Sequence, residues 1–394
     1  MDRRTRTYLE GRFGDHYRRM TITPPPSADA REWGYIPWTA DGRTTMIRHQ
    51  SLVDLGDIAS FLTQSRPRHV YYSAGYYADP GAGTMDEKTW NGADLIFDLD
   101  ADHLPGIDPS DTSYATMLAE CKAELEKLLS FLLTDFGFPD PKIVFSGGRG
   151  YHVHIHDESV HSLSRASRRE IVDYIRGSGI SLETIVETEA VSGSGRKTPA
   201  TKRQLNTDAG WGRRVHTDLM TFIDFLRTAP TETATAQLLE FEGIGKKRAT
   251  AILSIIDSRY DELKAGNIDV HPAMVSLTAS IIEQAKSHYR AAIDEPVTTD
   301  TNRLIRLPGS LHGGSGLAVR HLSHNELASF NPLRDAIPET FTDLEIAITL
   351  SEETIVEVGG QGRILSPGTT RVPEYMGIHL MTTNQATKAD ENGL

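Results

Sequence analysis

The length, composition and charge of the chain limit what it can be. Its 394 residues suffice for one large domain with an insertion, or for two domains. The formal net charge of -13 argues against a protein that wraps uniformly around nucleic acid, although it leaves room for a local basic groove.

The cysteine count and the hydrophobic pattern exclude further classes. Cys121 is the single cysteine, which excludes an internal disulfide and any zinc site built from two or four cysteines of this chain. No zinc is therefore expected. No stretch is apolar enough to span a bilayer, and the first residues lack the apolar core of a signal peptide. The sequence predicts a cytoplasmic protein without a membrane partner.

The chain begins with a predicted helix and continues with short strands. Residues 1–20 combine aromatic and basic side chains at a helical spacing, and the three prolines that follow end this helix. The strand-like runs after it are residues 31–38, 45–49, 69–72 and 94–100. An amphipathic helix is then predicted over residues 117–136. This order indicates a mixed α/β fold of the α+β type.

The fourth of these strands ends in two acidic side chains, Asp98 and Asp100. On a strand they share one face, while Leu95, Phe97 and Leu99 pack on the other. Ionised carboxylates beside a hydrophobic core are costly unless a cation neutralises them, and oxygen ligands suit Mg²⁺ or Mn²⁺. An Asp-rich turn after an ordinary strand explains the same residues equally well, so other segments have to decide.

A glycine-rich hairpin is predicted near the middle of the chain. Residues 142–145 and 151–156 have the pattern of strands, and residues 146–150 between them form a glycine turn. The turn offers backbone N–H groups, the Ser146 hydroxyl and the Arg149 guanidinium, a combination that suits a triphosphate. A tight hairpin without a ligand would also explain the glycines.

Three histidines alternate along the second strand of this hairpin. His152, His154 and His156 therefore share a face, and His152 lies nearest the glycine turn. A structural role is the ordinary alternative for each of them. A metal site made of the three imidazoles is less favoured, because carboxylates are available elsewhere in the chain.

The remaining periodicity divides the chain into domains. Residues 161–292 are mostly helical in pattern and are predicted to form an insertion, so the main domain is discontinuous and comprises residues 1–160 and 293–380. Residues 381–394 are polar without periodicity, which predicts a flexible tail.

Strand patterning returns at residues 302–307, where a third charged segment begins. Asp300 supplies another carboxylate, and Arg303, Arg306 and His312 supply cations and hydrogen-bond donors ahead of a second glycine loop. Three carboxylates and several groups that bind phosphate are the components of a two-metal nucleotidyl transferase. The structural alternatives are that Asp300 caps a turn and that Arg303 pairs with a carboxylate.

Together these segments resemble a known family, the archaeo-eukaryotic primase superfamily, and within it the small catalytic subunit of archaeal DNA primase. The resemblance implies a catalytic α/β core with an RRM-like half, plus a smaller helical subdomain. The segments that carry it are Asp98-x-Asp100, Ser146-Gly147-Gly148-Arg149-Gly150-x-His152-x-His154 and Asp300-x-x-Arg303-Leu304-Ile305-Arg306-Leu307-Pro308-Gly309-Ser310-Leu311-His312-Gly313.

The resemblance implies a site for two metal ions and a nucleotide. Asp98, Asp100 and Asp300 would bind Mg²⁺ or Mn²⁺, and Arg48 would lie near the nucleotide or the template. The groups implied to hold the nucleotide, chiefly by its phosphates, are Ser146, Arg149, His152, Arg306 and His312. Many relatives carry a zinc knuckle after the Asp-x-Asp strand, and this chain offers only His103 and Cys121 there, so the knuckle is expected to be absent.

The implied function is that of a DNA primase catalytic subunit. Such an enzyme joins nucleoside triphosphates on a single-stranded DNA template and begins primers de novo for replication. Its implied partner is the large primase subunit, an iron–sulfur protein whose cluster cysteines cannot lie in this chain. The alternatives are a polymerase of the same superfamily that extends existing primers, and an inert nucleic-acid-binding scaffold with the same fold.

Inside the predicted insertion, residues 238–256 resemble a helix-hairpin-helix element. Gly243 and Gly245 would present backbone N–H groups at a helix N-terminus to a DNA phosphate, and Lys246 and Lys247 would add positive charge. An ordinary αα-hairpin packed within its own subdomain is the alternative.

Overall fold

The computed structural model describes residues 1–39, 44–191, 200–360 and 362–391. The chain forms two compact units. The first unit comprises Met1–Leu125, Asp140–Arg169 and Ala292–Leu394, and the second comprises Glu126–Pro139 and Glu170–Ala291. The main chain thus leaves the first unit twice and returns to it twice. In the described ranges, no helix is long and apolar enough to cross a bilayer.

The predicted mixture of helices and strands is confirmed. The α-helices of the described residues are α1 (Arg3–Arg19), α2 (Leu52–Leu55), α3 (Ile58–Ser65), α4 (Tyr114–Thr134), α5 (Glu158–His161), α6 (Arg165–Ile175), α7 (Leu182–Ile185), α8 (Gly210–Thr228), α9 (Thr231–Leu239), α10 (Lys246–Ser258), α11 (Tyr260–Lys264), α12 (Pro272–Tyr289), α13 (Glu295–Thr299), α14 (His324–Ser329), α15 (Pro332–Asp335) and α16 (Glu374–Thr382). The strands are β1 (Trp33–Ile36), β2 (Ile47–Gln50), β3 (His69–Ser73), β4 (Gly75–Tyr77), β5 (Trp90–Ala93), β6 (Leu95–Asp100), β7 (Lys142–Phe145), β8 (Gly150–Ile155), β9 (Val186–Val191), β10 (Ala200–Leu205), β11 (Leu304–Arg306), β12 (Arg320–Leu322), β13 (Glu345–Leu350), β14 (Thr354–Val356), β15 (Arg363–Leu365), β16 (Gly368–Pro373) and β17 (Ala386–Lys388).

One four-stranded antiparallel sheet of the first unit carries the acidic strand. Its order is β12-β7-β8-β6, and β8 pairs with β6 so that Asp98 lies opposite His152 and Asp100 opposite Gly150. The apolar residues of β6 that alternate with the two aspartates are fully buried: Leu95, Phe97 and Leu99. Burial of one face therefore fixes the register and leaves both carboxylates on the other.

A second four-stranded sheet, in the order β11-β3-β1-β2, brings in the third predicted segment. β11 pairs with β3 so that Arg306 lies opposite Tyr71. The segment after β11 lies against the glycine hairpin, because the Ser315 hydroxyl donates to the carbonyl of Gly147. The two sheets thus supply the two halves of the predicted site.

The prediction of a flexible tail from residue 381 is wrong for the described part of that segment. α16 continues to Thr382, and β17 then pairs with β13 in a sheet of order β16-β13-β17. The backbone N–H of Lys388 donates to the Thr5 hydroxyl at 2.8 Å, which fastens the strand to α1. A strand of three residues is too short to show a period in the sequence, so the pattern alone could not reveal it. Residues 392–394 lie outside the described residues.

This strand leads to a stability prediction. A chain truncated after Thr383 is expected to lose about 2–3 kcal/mol of unfolding free energy, because buried Ala386 and the Lys388 contact disappear. Urea unfolding measures the change, with Thr387→Ala as the control, because this side chain is exposed and should shift stability by less than about 0.5 kcal/mol. If the truncated chain were as stable as the full one, the prediction of a flexible tail would be correct after all.

The second unit is mostly helical, with one addition that the sequence did not predict. β9 and β10 form an antiparallel pair in which Val186 lies opposite Leu205 and Val191 opposite Ala200. Both strands have largely polar sequences, so hydrophobic alternation gave no sign of them. Residues 192–199 of the predicted insertion lie outside the described residues.

Candidate active site

Asp98 and Asp100 lie side by side on the accessible face of β6. Oδ1 of Asp98 is 3.3 Å from Nε2 of His152, the residue opposite it on β8. Burial, and after it the charge of Asp100, raises the pKa of Asp98 to about 6. A pair of carboxylates that repel each other in this way would be stabilised by a cation.

A further aspartate, Asp294, precedes α13 and is tied to this strand through its backbone. The backbone N–H of Asp294 donates to the carbonyl of Asp98 at 2.9 Å. Although Asp294 is the N-cap of α13, its side chain makes no capping hydrogen bond. Burial raises its pKa, and the charge of Asp98 adds to the shift. Nothing in the sequence singled out Asp294, because an aspartate ahead of Glu-Pro has the pattern of an ordinary helix N-cap.

Asp300, the third carboxylate that the sequence predicts, lies at the other end of α13. Its Oδ1 accepts a hydrogen bond from the backbone N–H of Asn302 at 2.9 Å. Burial raises the pKa of Tyr77, and the charge of Asp300 contributes to that shift. The hydroxyl of Tyr77 donates to Oδ1 of Asn302 at 3.1 Å. Helix α13 therefore has an aspartate at each end, and Asp294 is the one whose backbone bonds to Asp98.

The carboxylate oxygens of these aspartates are the kind of ligand that a hard divalent cation prefers. Asp98 and Asp100 repel each other, and Oδ1 of Asp102 is buried with no hydrogen-bond partner in the described ranges. In the part of the chain that the structure describes, no group of three or more His, Cys, Asp or Glu side chains is arranged to hold a metal ion. The carboxylates would therefore have to close around an ion.

The glycine hairpin depends on the absence of side chains. Gly147 has a φ of 75°, and a Cβ there would lie 2.7 Å from the Cβ of His312. A Cβ on Gly150 would collide with the carbonyl oxygen of Leu99 on the neighbouring strand. The Ser146 hydroxyl accepts a hydrogen bond from the backbone N–H of Gly148 at 3.2 Å, and this holds the turn closed. Only glycine lets the turn lie this close to both neighbours.

The cationic groups of the site differ in their partners. Nη2 of Arg149 lies 2.5 Å from Oδ2 of Asp102, so this arginine is already paired. The guanidinium of Arg306 lies over the ring of Tyr71, 5.5 Å from its centroid. Its Nε is buried and has no hydrogen-bond partner among the residues that the structure describes. A buried donor without a partner is a position where an incoming oxygen gains a full hydrogen bond.

The two predicted histidines are neutral in this environment. Burial, with the charges of Arg306 and Arg303, lowers the pKa of His152 to about 3. Burial, and after it the charge of Arg306, lowers the pKa of His312 well below its ordinary value. Neutral imidazoles serve as hydrogen-bond donors or acceptors and leave the positive charge to the arginines.

One cavity of about 1130 Å³ in the first unit joins these elements. It is lined by one carboxylate of the acidic strand and by groups from both glycine segments, namely Asp100, Ser146, Gly148, Arg149, Arg306, His312 and Gly314. The structure therefore brings together side chains that the sequence spreads over more than two hundred residues. A strand carboxylate, cations and backbone N–H groups in one cavity are what a metal-bound triphosphate requires.

Comparison with known proteins decides the family. A family model for the DNA primase small subunit matches residues 97–323, more than half of the chain. The chain belongs to the DNA primase small-subunit family. Membership confirms the predicted resemblance and makes this a catalytic small subunit of DNA primase, an enzyme of DNA replication.

Full-length relatives agree with this family. A protein of Halobacterium salinarum named DNA primase small subunit PriS is 54% identical, over 99% of this chain and 100% of that protein. The protein of the same name from Natronomonas pharaonis is also 54% identical, with the same shares covered. That from Methanococcoides burtonii is 41% identical, over 98% of this chain and 99% of its own. The primase resemblance therefore extends over both units.

Arg48 lies apart from the cavity lining of this primase subunit. Its Nε and Nη2 donate to the two oxygens of Glu32 at 3.0 and 3.3 Å, and Glu32 is fully buried. Lys88, also fully buried, places its Nζ 3.8 Å from the same carboxylate. The structure thus shows Arg48 as a half-exposed arginine held by a buried carboxylate.

The helix-hairpin-helix-like residues lie in the second unit, between α9 and α10. Gly243 has a φ of 76°, and Gly245 is the N-cap of α10 without a side-chain capping bond. Lys246 and Lys247 are exposed in the first turn of α10. The local geometry is that of two helices joined by a short glycine turn. A DNA-binding element and an ordinary αα-hairpin both have this geometry, so it does not distinguish them.

Proposed function

We propose that this primase small subunit is a nucleotidyl transferase that makes short primers de novo on single-stranded DNA, with Mg²⁺ or Mn²⁺ as its cofactor. The observation that carries this proposal is the shared cavity, which Asp100 lines together with Arg306 and His312. A carboxylate next to several groups that bind phosphate fits an incoming nucleoside triphosphate. It does not fit a scaffold, because two like-charged, half-buried carboxylates on one strand destabilise the fold and would serve no purpose there.

The carboxylates are the proposed metal ligands. Asp98 and Asp100 are two of them, and Asp294 is favoured as the third, because its backbone bonds to Asp98 and its side chain is not used for capping. Asp300, which the family resemblance implied, remains the competing candidate. Bound divalent ions would lower the pKa of the attacking hydroxyl and stabilise the leaving pyrophosphate.

The glycine hairpin and the loop after β11 are the proposed nucleotide site. Backbone N–H groups, the Ser146 hydroxyl and the neutral imidazoles of His152 and His312 orient the phosphates, while Arg306 supplies charge. Arg149 would exchange its bond to Asp102 for a phosphate oxygen, since both are acceptors of similar charge. Arg48, held by Glu32, is proposed to contact the nucleotide or the template.

The proposed partners are nucleoside triphosphates, a single-stranded DNA template and a large primase subunit. The relatives are named small subunits, which implies a larger companion. The net charge of -13 fits an enzyme that contacts its template locally and relies on a companion for additional grip.

The test of this function is primer synthesis on single-stranded DNA by the full chain, alone and with its large subunit. Labelled nucleotides and either Mg²⁺ or Mn²⁺ should yield oligonucleotides without an added primer. If the chain extends supplied primers but starts none, it is a primer-extending polymerase of the same superfamily. If no mixture yields any product, the hypothesis of an inert scaffold would be favoured.

The helix-hairpin-helix-like element gives a separate prediction. The Lys246→Ala, Lys247→Ala double variant is expected to bind duplex DNA more weakly at every sequence and to reduce the slope of log affinity against log salt by about 2. Fluorescence anisotropy at several salt concentrations measures this. The matched control is Arg259→Ala in the same unit, whose guanidinium pairs with Glu262 and is not part of the turn. Equal slopes for the double variant and the unchanged chain would favour the ordinary αα-hairpin.

A further inference from the structure

Arg68, immediately before β3, is a cation of the cavity that the sequence did not single out. Its side chain lines the cavity together with Arg149, Arg306 and His312. Its Nε donates to the carbonyl of Gly313 at 3.0 Å, which leaves the two Nη groups for other partners. Among the residues that the structure describes, no carboxylate forms an ion pair with it.

The position of Arg68 is built into the fold. Its backbone N–H donates to Ile36 at 2.8 Å, and its guanidinium lies over the ring of Trp38, 5.5 Å from the centroid. A Cβ on Gly313 would collide with Cγ of Arg68 and would lie 2.6 Å from its carbonyl oxygen. The glycine loop after β11 therefore packs directly on the stem of this arginine. A side chain fixed in this way loses little further entropy when it binds an anion.

Packing gives the order of the groups along the cavity. Gly150 lies opposite Asp100 on the neighbouring strand. Gly147, at the other side of the turn, packs on His312, because a Cβ there would lie 2.7 Å from the Cβ of His312. The ring of His312 also lies against that of His69, the neighbour of Arg68, with 5.0 Å between centroids. Asp100 thus marks one end of the cavity, and Arg68 belongs to the end marked by His312.

We propose that Arg68 binds the terminal phosphate of the incoming nucleoside triphosphate and so makes the site select triphosphates over diphosphates. The proposal rests on the proposed function, which places the reacting phosphate beside the aspartates. The phosphate farthest from the aspartates then lies at the His312 end. There Arg68 presents its two Nη groups, which have no hydrogen-bond partner among the described residues, in the fork geometry that suits phosphate oxygens. Arg149 is paired with Asp102, whereas Arg68 has no carboxylate partner in the described part of the chain.

The test compares ATP with ADP as ligands of the full chain by titration calorimetry. Arg68→Gln is expected to weaken ATP binding by about tenfold or more while ADP binding stays within about twofold, because the lost charged hydrogen bonds reach the terminal phosphate alone. Arg68→Lys keeps the positive charge but not the two-pronged guanidinium, so its affinity for ATP should lie between those of the unchanged chain and Arg68→Gln. In primer synthesis the KM for nucleotide should rise with little change in kcat.

Two controls separate this proposal from the proposed function. Arg66→Gln, two residues earlier and exposed, should change neither affinity. Arg306→Gln should weaken both ATP and ADP. Equal weakening of ATP and ADP by Arg68→Gln, or no weakening while Arg306→Gln weakens both, would overturn the role of Arg68 and leave the primase assignment intact. Failure of the unchanged chain to bind ATP would overturn the nucleotide site itself.

Discussion

Replacing Asp294 with asparagine is expected to stop primer synthesis as completely as replacing Asp98, while Asp300→Asn keeps most of the activity. The expected loss is on the order of a thousandfold in kcat/KM, which corresponds to several kcal/mol of charge stabilisation. The structural reason is that Asp294 bonds through its backbone to Asp98, and its side chain has no capping partner. Asp300 has a local role, since its Oδ1 accepts from Asn302.

The two asparagine variants are matched controls for each other. The Asp294→Asn variant would keep the backbone bond to Asp98, because that bond uses no side-chain atom. The Asp300→Asn variant would keep an amide oxygen for the Asn302 N–H. Both variants should therefore fold, which thermal unfolding can check, and Mn²⁺ titration should show weaker binding for Asp294→Asn alone. Full activity of Asp294→Asn together with an inactive Asp300→Asn would establish the assignment that the sequence resemblance implied.

The sequence predicted elements whose signal is local, and the acidic strand shows why. Phe97 and Leu99 alternate with Asp98 and Asp100, and the same alternation buries the two apolar side chains in the structure. The hairpin after β7 was equally predictable, because five residues with three glycines separate an apolar run from a segment in which apolar residues and histidines alternate. In both cases the residues that reveal the element in the sequence are also the residues that determine its packing or its turn.

The site was less predictable where it depends on contacts between distant segments. Asp294 looks like a helix cap, and only the bond to Asp98 distinguishes it from Asp300. Arg68 has no motif of its own and becomes part of the cavity because Gly313 packs on its stem. β17 is too short for periodicity and is stabilised by its partner strand and α1. Each of these features is set by tertiary contacts, which a pattern in one segment cannot contain.

The buried carboxylate of Glu32 illustrates a different kind of long-range effect. It accepts hydrogen bonds from Arg48 and from the backbone of His49, and Lys88 lies beside it. A carboxylate that is fully buried is stable only when such donors surround it. The sequence drew attention to Arg48, but the structure shows that its position depends on the residue that precedes the neighbouring strand β1.

The close approach of β8 to β6 leads to the second large effect, at Gly150. Gly150→Ala is expected to destabilise the chain by about 3 kcal/mol, because the new Cβ collides with the backbone of Leu99 and cannot move away as a flexible side chain would. The same shift would separate Asp100 from its partner position and disturb the bond from the Ser146 N–H to the Gly150 carbonyl. Primer synthesis should fall by more than the loss of folded protein explains. Urea unfolding and the specific activity of the folded fraction measure the two effects.

Gly11→Ala is the control for this substitution. Gly11 lies inside α1, and a Cβ there would meet nothing within 4 Å. Alanine in a helix interior is favoured over glycine by about 0.5–1 kcal/mol, so this variant should be slightly more stable and fully active. The same chemical change thus has opposite effects at the two positions. If Gly150→Ala were as stable and active as Gly11→Ala, β6 and β8 would have room to separate, and the tight register that aligns Asp98 with His152 would not be required for the site.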